Sequence, residues 1–403
     1  MNTPVNRLLD HETAGIDMRR LRAYRLGRLR GELSRLGLAG CVLFQPLNIR
    51  YAVGLRGVPF GMHISSSYVF VPVEGPVVLF GYGKRESRAL ETIDEVREVQ
   101  DLSFFMIGQR FPEKVQRCIE ELADLAMRHG NGSLRLGIDY CDPELAYGLA
   151  KRGVWVSNAQ EPLERARAIK SADELACMAH ALMVAEIGMA RMRDALEPGL
   201  TENELWSLLY QTNIAMNGEW IEDRALASGE RINPWGQGAS DRVIRAGELV
   251  AFDTDMIGPF SYCADVSRTF HCGPGKPTGE QRTLYSLAYE ELHHNLELVK
   301  PGVSFREFSE RTWKRPADCT PNRYIVAAHG IGMCDEWPAI YYPEDYGLRG
   351  YDGVIEAGMT LCVESYIGRE GGHEGVKLEQ QVLVTETGCR PLTNFTFEDA
   401  LLA

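Results

Sequence analysis

Through about residue 160 the chain alternates helical stretches with short apolar runs: CVLF (Cys41 to Phe44), YVFVPV (Tyr68 to Val73), VVLF (Val77 to Phe80) and RLGID (Arg135 to Asp139). Short apolar runs between longer-period segments predict strands alternating with helices, an α/β arrangement. Ahead of them, Met18, Leu21, Leu26, Leu29, Leu33 and Leu36 recur at roughly helical spacing within an arginine-rich stretch. That pattern predicts an amphipathic helix with a solvated arginine face rather than a membrane-surface segment. The stretch from Glu164 to Leu196 then reads as a long helix, with Ser171 as N-cap and Glu174 three residues on in the capping-box arrangement. The expected organisation is an α/β domain over 1–160 and a second domain over 161–403.

The second domain carries an internal repeat. EPGLTENEL (Glu197 to Leu205) is echoed by KPGVSFREF (Lys300 to Phe308), and AGELVAFD (Ala246 to Asp253) by AGMTLCVE (Ala357 to Glu364). Two copies of one helix-plus-strand unit are therefore expected to face each other, each strand ending on a carboxylate. The repeat itself proposes that Asp253 and Glu364 converge on a common point.

Side chains alternate faces along a strand, so in LVAFDTD both Asp253 and Asp255 are expected on one face. Asp265 in YCADVSRTF and Glu379 in VKLEQQVLVTETG sit among neighbours too apolar for a surface ribbon. Several carboxylates on core strands demand compensation, because unpaired buried charge is very costly, and divalent metal ions supply it. His329, after an apolar segment and before Gly330-Ile331-Gly332, adds one nitrogen donor to an oxygen-rich set. Such a set favours Fe, Mn, Co or Zn.

Charge and cysteine content narrow the picture. The net charge of -13 repels phosphate backbones and anionic lipid, so neither nucleic acid nor a membrane is an expected partner. Ten cysteines show no C-x-x-C pair and no regular framework, so no cysteine zinc site is indicated, and the pattern suits buried thiols in a reducing compartment. With no apolar leader at the N-terminus and no run judged long enough to span a bilayer, a cytoplasmic location is expected.

In order and approximate spacing, Asp253 or Asp255, Asp265, His329 within HGIG, Glu364 and Glu379 resemble the two-metal site of the methionine aminopeptidase, prolidase and creatinase family. The resemblance covers about residues 160 to 403, and the stretch from Arg167 to Leu175 is similar as well. It implies an α+β pita-bread domain with pseudo-twofold symmetry, a smaller creatinase-type N-terminal domain and a homodimer.

Peptide-cleaving members of that family carry further histidines around the metals, where this chain reads Asn233 to Gln237 (NPWGQ) and Cys334 to Pro338 (CDEWP). An ionised Asp335 is a poor partner for a developing oxyanion but a reasonable proton acceptor. Hydrolysis is thereby expected to have given way to proton abstraction. The combination of FDTD, HGIGMCDEWP, GEWIE and KLEQQVLVTETG resembles the DddP-type dimethylsulfoniopropionate lyases, which cleave a sulfonium acid to dimethyl sulfide and acrylate with two metal ions, commonly iron.

Carried over by position, that resemblance implies Asp253, Asp255, Asp265, His329, Glu364 and Glu379 as ligands, Asp335 as base and Tyr324 as a substrate-positioning residue. Aromatic groups suit a cationic substrate end. Trp220, Trp235, Trp337 and Tyr366 are accordingly expected to bind substrate, with His63 a further pocket candidate. The competing readings are an Xaa-Pro peptidase-like metallohydrolase and a non-catalytic binding protein on the same scaffold.

Overall fold

The computed structural model describes residues 15–55, 67–81 and 90–402, so His63 lies outside the described residues. The chain divides into two compact units, one formed by Asp17–Arg167 and one that takes in Ala168 onward.

The first unit is built on strands β1 (Gly40–Leu43), β2 (Tyr68–Pro72), β3 (Val78–Phe80), β4 (Glu95–Arg97), β5 (Arg135–Ile138) and β6 (Trp155–Asn158), in the order β4-β3-β2-β1-β5-β6. The four apolar runs of the sequence are β1, β2, β3 and β5. Pairing is mixed: β1 runs antiparallel to β2 and parallel to β5. Val42, Tyr68, Phe70 and Phe80 form one core with Leu122 and Leu125 of the amphipathic helix Phe111–His129. Helix Met18–Arg35, capped by Asp17, buries Leu21, Leu29 and Leu33. Its arginine face is not wholly solvated, because Arg25 is buried beside them with its guanidinium 5.6 Å from the Tyr51 ring centroid.

The second unit opens on helix Ala172–Ala195. Ser171 Oγ accepts from the Glu174 amide at 3.3 Å, and Glu174 Oε2 accepts from the Ser171 amide at 2.8 Å. By length and hydropathy this helix would cross a bilayer, contrary to the expectation that no such run exists. Half of its apolar window is buried inside the fold, and at Gly188 the helix approaches so closely that an added Cβ would lie 2.5 Å from Leu209 Cδ1 and displace that side chain. It is a core helix, packed on helix Glu202–Ala215.

Three sheets complete this unit. Strands β7 (Trp220–Ile221), β8 (Leu226–Ser228), β9 (Leu249–Phe252), β10 (Met256–Ile257), β11 (Cys263–Ala264) and β12 (Arg268–His271) make the sheets β11-β10-β7 and β12-β9-β8. Strands β13 (Ala328–Ile331), β14 (Asp335–Ile340), β15 (Thr360–Gly368), β16 (Gly375–Val384) and β17 (Cys389–Pro391) make the sheet β14-β13-β15-β16-β17, with helix Gly279–Leu298 packed on β15 and β16.

The sequence repeat is an architectural one. Thr201 and Ser304 cap helices Glu202–Ala215 and Phe305–Arg311 at matching places. Just before them the Gly199 amide donates to Ile244 O at 3.0 Å, as the Gly302 amide donates to Ile355 O at 2.9 Å. Gly247 (φ +85) and Gly358 (φ +89) then turn the chain into β9 and β15 through a left-handed conformation that favours glycine. The Glu379 amide donates to Ser267 O at 3.2 Å, and Thr269 Oγ1 donates to Lys377 O at 2.9 Å. These bonds join the β12 region to β16, so the two halves meet along the edge where their carboxylates emerge.

Candidate metal centre

Asp253 leaves the end of β9, held by its amide to Ala225 O at 2.8 Å. Asp255 joins it by a different route from the one expected: β9 ends at Phe252, and Asp255 adopts φ +35, so a turn rather than strand alternation brings the two acids together. Aspartate is among the side chains that tolerate this conformation. Thr254 between them donates to Ala264 O at 2.8 Å and accepts from the Val266 amide at 2.9 Å, which clips Asp265 alongside. Glu364 on β15 and Glu379 on β16 are direct partners in the antiparallel register and therefore share a face. His329 on β13 lies opposite Cys362 of β15, next to that face.

The side chains converge. His329 Nε2 lies 3.2 Å from Glu364 Oε1, 3.6 Å from Asp265 Oδ2 and 3.9 Å from Glu379 Oε1. Asp253, Asp255 and Asp265 can bring one carboxylate oxygen each within 4.8 Å of the others, and Asp265, His329, Cys362 and Glu379 form a second such group. Asp253 Oδ1, Asp265 Oδ1 and Glu379 Oε1 are buried with no hydrogen-bond partner. Burial and the neighbouring carboxylates push Asp265 and Glu379 well above the usual carboxylate range. At Asp253 burial acts in the same sense but is outweighed by Lys377, which holds it low. Three buried carboxylate oxygens without hydrogen-bond partners in an electronegative cluster fit divalent cations, and five of the six expected ligands, all but Glu364, fall in the two groups that could hold one.

A pocket of about 510 Å³ opens on this cluster, lined by Asp253, Asp255, Tyr324, Trp235, Asp223 and Arg323 among others. Asp335, first residue of β14, places Oδ1 3.5 Å from His329 Nδ1 and keeps 61% of its side chain exposed. Partial desolvation raises its carboxyl, with His329 opposing and Asp253 adding. Of the expected aromatics, Tyr324 and Trp235 line the pocket and the other three do not. Trp337 stands in a bulge, since His329 pairs with Ala339 and Gly330 with Glu336, and its ring packs edge-on against Phe305 at 5.5 Å. Tyr366 is fully buried and donates its hydroxyl to Ile232 O at 2.9 Å, behind Trp235. Trp220 is taken up in β7, paired with Ile257 of β10.

Two features escaped the sequence reading. Lys377, on β16 two residues before Glu379, sits amid the carboxylates. Strand alternation in KLE would have placed it there. Lys170 reaches Glu336 at 2.7 Å with both side chains nearly fully buried, and Glu336 Oε1 accepts from the Met333 amide at 3.0 Å. This pair pins the turn between His329 and Asp335 to the start of the long helix. Lys170→Met is expected to destabilise the second unit by about 3 to 5 kcal/mol, because it removes the cationic member of a buried ion pair. Denaturant unfolding checks this, and a loss under about 1 kcal/mol would overturn it.

Residues 176–386 match metallopeptidase family M24, and residues 25–169 match the creatinase/prolidase N-terminal domain. The dimethylsulfoniopropionate lyase DddP of Roseovarius nubinhibens is 36% identical over 97% of this chain and 90% of its own length. The protein of the same name from Roseobacter denitrificans is 34% identical over 96% of this chain and 88% of its own. Among solved structures, dipeptidase PepE from Mycobacterium ulcerans superposes with a TM-score of 0.74 at 24% identity, covering 95% of this chain and 98% of that one. That likeness speaks for the fold alone.

Proposed function

The chain belongs to metallopeptidase family M24, in its DddP-type branch, and from that membership we propose that it is a metal-dependent lyase that cleaves dimethylsulfoniopropionate, or a related small onium acid, to dimethyl sulfide and acrylate. The observation that carries the reading is Asp335: a solvent-reachable carboxylate 3.5 Å from His329, the nitrogen-bearing member of the cluster. Asp253, Asp255, Asp265, His329, Glu364 and Glu379 would hold two divalent ions. Iron is the proposed ion by resemblance, although oxygen donors with one imidazole also admit Mn, Co or Zn. A homodimer is the proposed working form.

When bound, the ions would partly neutralise the substrate carboxylate and so acidify the adjacent carbon. The chain's own residues do the rest. Trp235 and Tyr324 line the pocket, where aromatic rings suit the sulfonium, and the Tyr324 ring also carries the Lys377 ammonium 4.6 Å from its centroid. Arg323 is paired with Asp345 through two bonds of 2.7 Å, so its charge does not repel that cationic end. Asp335 removes a proton from the carbon next to the carboxylate. The C–H electron pair becomes the new C=C bond, the C–S bond breaks, and its pair leaves on neutral dimethyl sulfide.

The test is to incubate the iron-loaded protein with dimethylsulfoniopropionate and follow dimethyl sulfide and acrylate, beside a chelated sample and an Xaa-Pro dipeptide. Metal-dependent release of both products in equal amounts is expected. The second reading, a metallohydrolase, draws on the M24 fold itself, and dipeptide cleavage without release of dimethyl sulfide would establish it instead.

A further inference from the structure

Lys377 sits at the heart of the cluster, and the elimination does not use it. Its side chain is fully buried on β16. Its ammonium donates to Ser267 Oγ at 2.6 Å, to Glu364 Oε2 at 2.6 Å and, at longer range, to Glu379 Oε2, and it forms an ion pair with Asp253 Oδ2 at 2.9 Å. Ser267 Oγ in turn donates to Glu379 Oε2 at 2.8 Å, an oxygen 3.4 Å from the ammonium. The oxygens this network leaves over include Asp253 Oδ1 and Glu379 Oε1, which have no partner. Each of these two carboxylates thus has one oxygen tied to the lysine network and the other unclaimed.

The charges count in the same sense. Asp253, Asp255, Asp265, Glu364 and Glu379 carry five negative charges when ionised. Two divalent ions supply four positive charges, and Lys377 supplies the fifth.

We infer that Lys377 is a built-in counter-ion of the metal centre: it holds one oxygen of Asp253, Glu364 and, through Ser267, Glu379 before any ion arrives, so that the unit folds without metal and presents the remaining oxygens to it. Lys377 is in this sense a positioning residue. The inference rests on the metal-centre part of the proposed function and is independent of the lyase reaction. Burying acids without a compensating cation is strongly destabilising, so the lysine matters most when metal is absent. Once ions are bound, they take over most of the compensation.

The experiment compares wild type, Lys377→Met and Lys377→Arg, each chelated and then supplied with manganese(II) alone, reading the melting temperature and the bound manganese. Methionine keeps an unbranched apolar stem of similar length and removes the ammonium, with its charge and its N–H donors together. The chelated Lys377→Met protein is expected to melt at least about 10 °C below chelated wild type, with manganese recovering more than half of that difference. Lys377→Arg should stay near wild type in both states.

An equal drop in the chelated and loaded states would mean a packing role and would overturn the inference, as would a chelated variant that melts like wild type. If chelated Lys377→Met does not fold, refolding on addition of manganese supports the inference, and failure to refold overturns it. A wild type that takes up no manganese would bring down the metal centre and this inference together. A wild type that binds manganese but releases no dimethyl sulfide sinks only the lyase.

Discussion

Asp335→Asn is expected to lower the rate of dimethyl sulfide and acrylate release by about 10²- to 10⁴-fold, the contribution a positioned general base makes. Asparagine preserves the shape and hydrogen-bonding reach of the side chain but accepts no proton. The carboxylate is 61% exposed and lies 3.5 Å from His329 Nδ1, and asparagine can keep that contact. Folding and metal content should therefore match wild type, and the loss should appear in kcat with KM little changed. Parallel measurement of product release and bound metal checks this. A variant retaining a tenth of the wild-type rate would remove Asp335 from the role of base. One that loses metal as well would instead place the residue among the ligands.

Loss of the metals is expected to have the second large effect. Chelation should abolish activity and, with two sites emptied, lower the melting temperature of the wild-type protein by about 10 to 20 °C. Ions present at about a hundred times their dissociation constant contribute about 2.7 kcal/mol per site. A unit of this size shifts by about 2 to 4 °C per kcal/mol. Glu379→Gln should go further than chelation alone, because it removes the carboxylate whose Oε1 is orphaned and whose Oε2 accepts from Ser267. That variant is expected to bind less than one equivalent of metal and to stay inactive when iron is added back. Calorimetry with metal analysis reads both outcomes. A fully metallated, active Glu379→Gln protein would exclude Glu379 as a ligand.

Much of this was legible in the chain before it folded. The apolar runs at Cys41, Tyr68, Val77 and Arg135 announce strands because a short buried strand needs little more than contiguous apolar residues. Ser171 with Glu174 announces a helix start because the reciprocal hydrogen bonds need only that spacing. The echo of Asp253 by Glu364 announced convergence because a repeat transfers geometry from one copy to the other. What failed were the directions of individual side chains. Asp255 reaches Asp253 through a left-handed turn, Trp337 is diverted by a bulge, and the Tyr366 hydroxyl is spent on Ile232 O. Alternation along an ideal strand foresees none of these, since each depends on where a neighbouring segment lies.

By itself, then, the sequence determined the types of element, their order and the chemical character of the centre, because periodicity, capping and the cost of burying acids are local or compositional facts. Only the tertiary structure decided which oxygens of those acids are left without partners, which two of five aromatics reach the pocket, and that the Lys377 ammonium stands between β9, β15 and β16. Those outcomes turn on short distances between residues on different strands, such as Asp253 and Lys377 at 2.9 Å. Distances of that kind exist only once the two halves of the repeat have closed on each other.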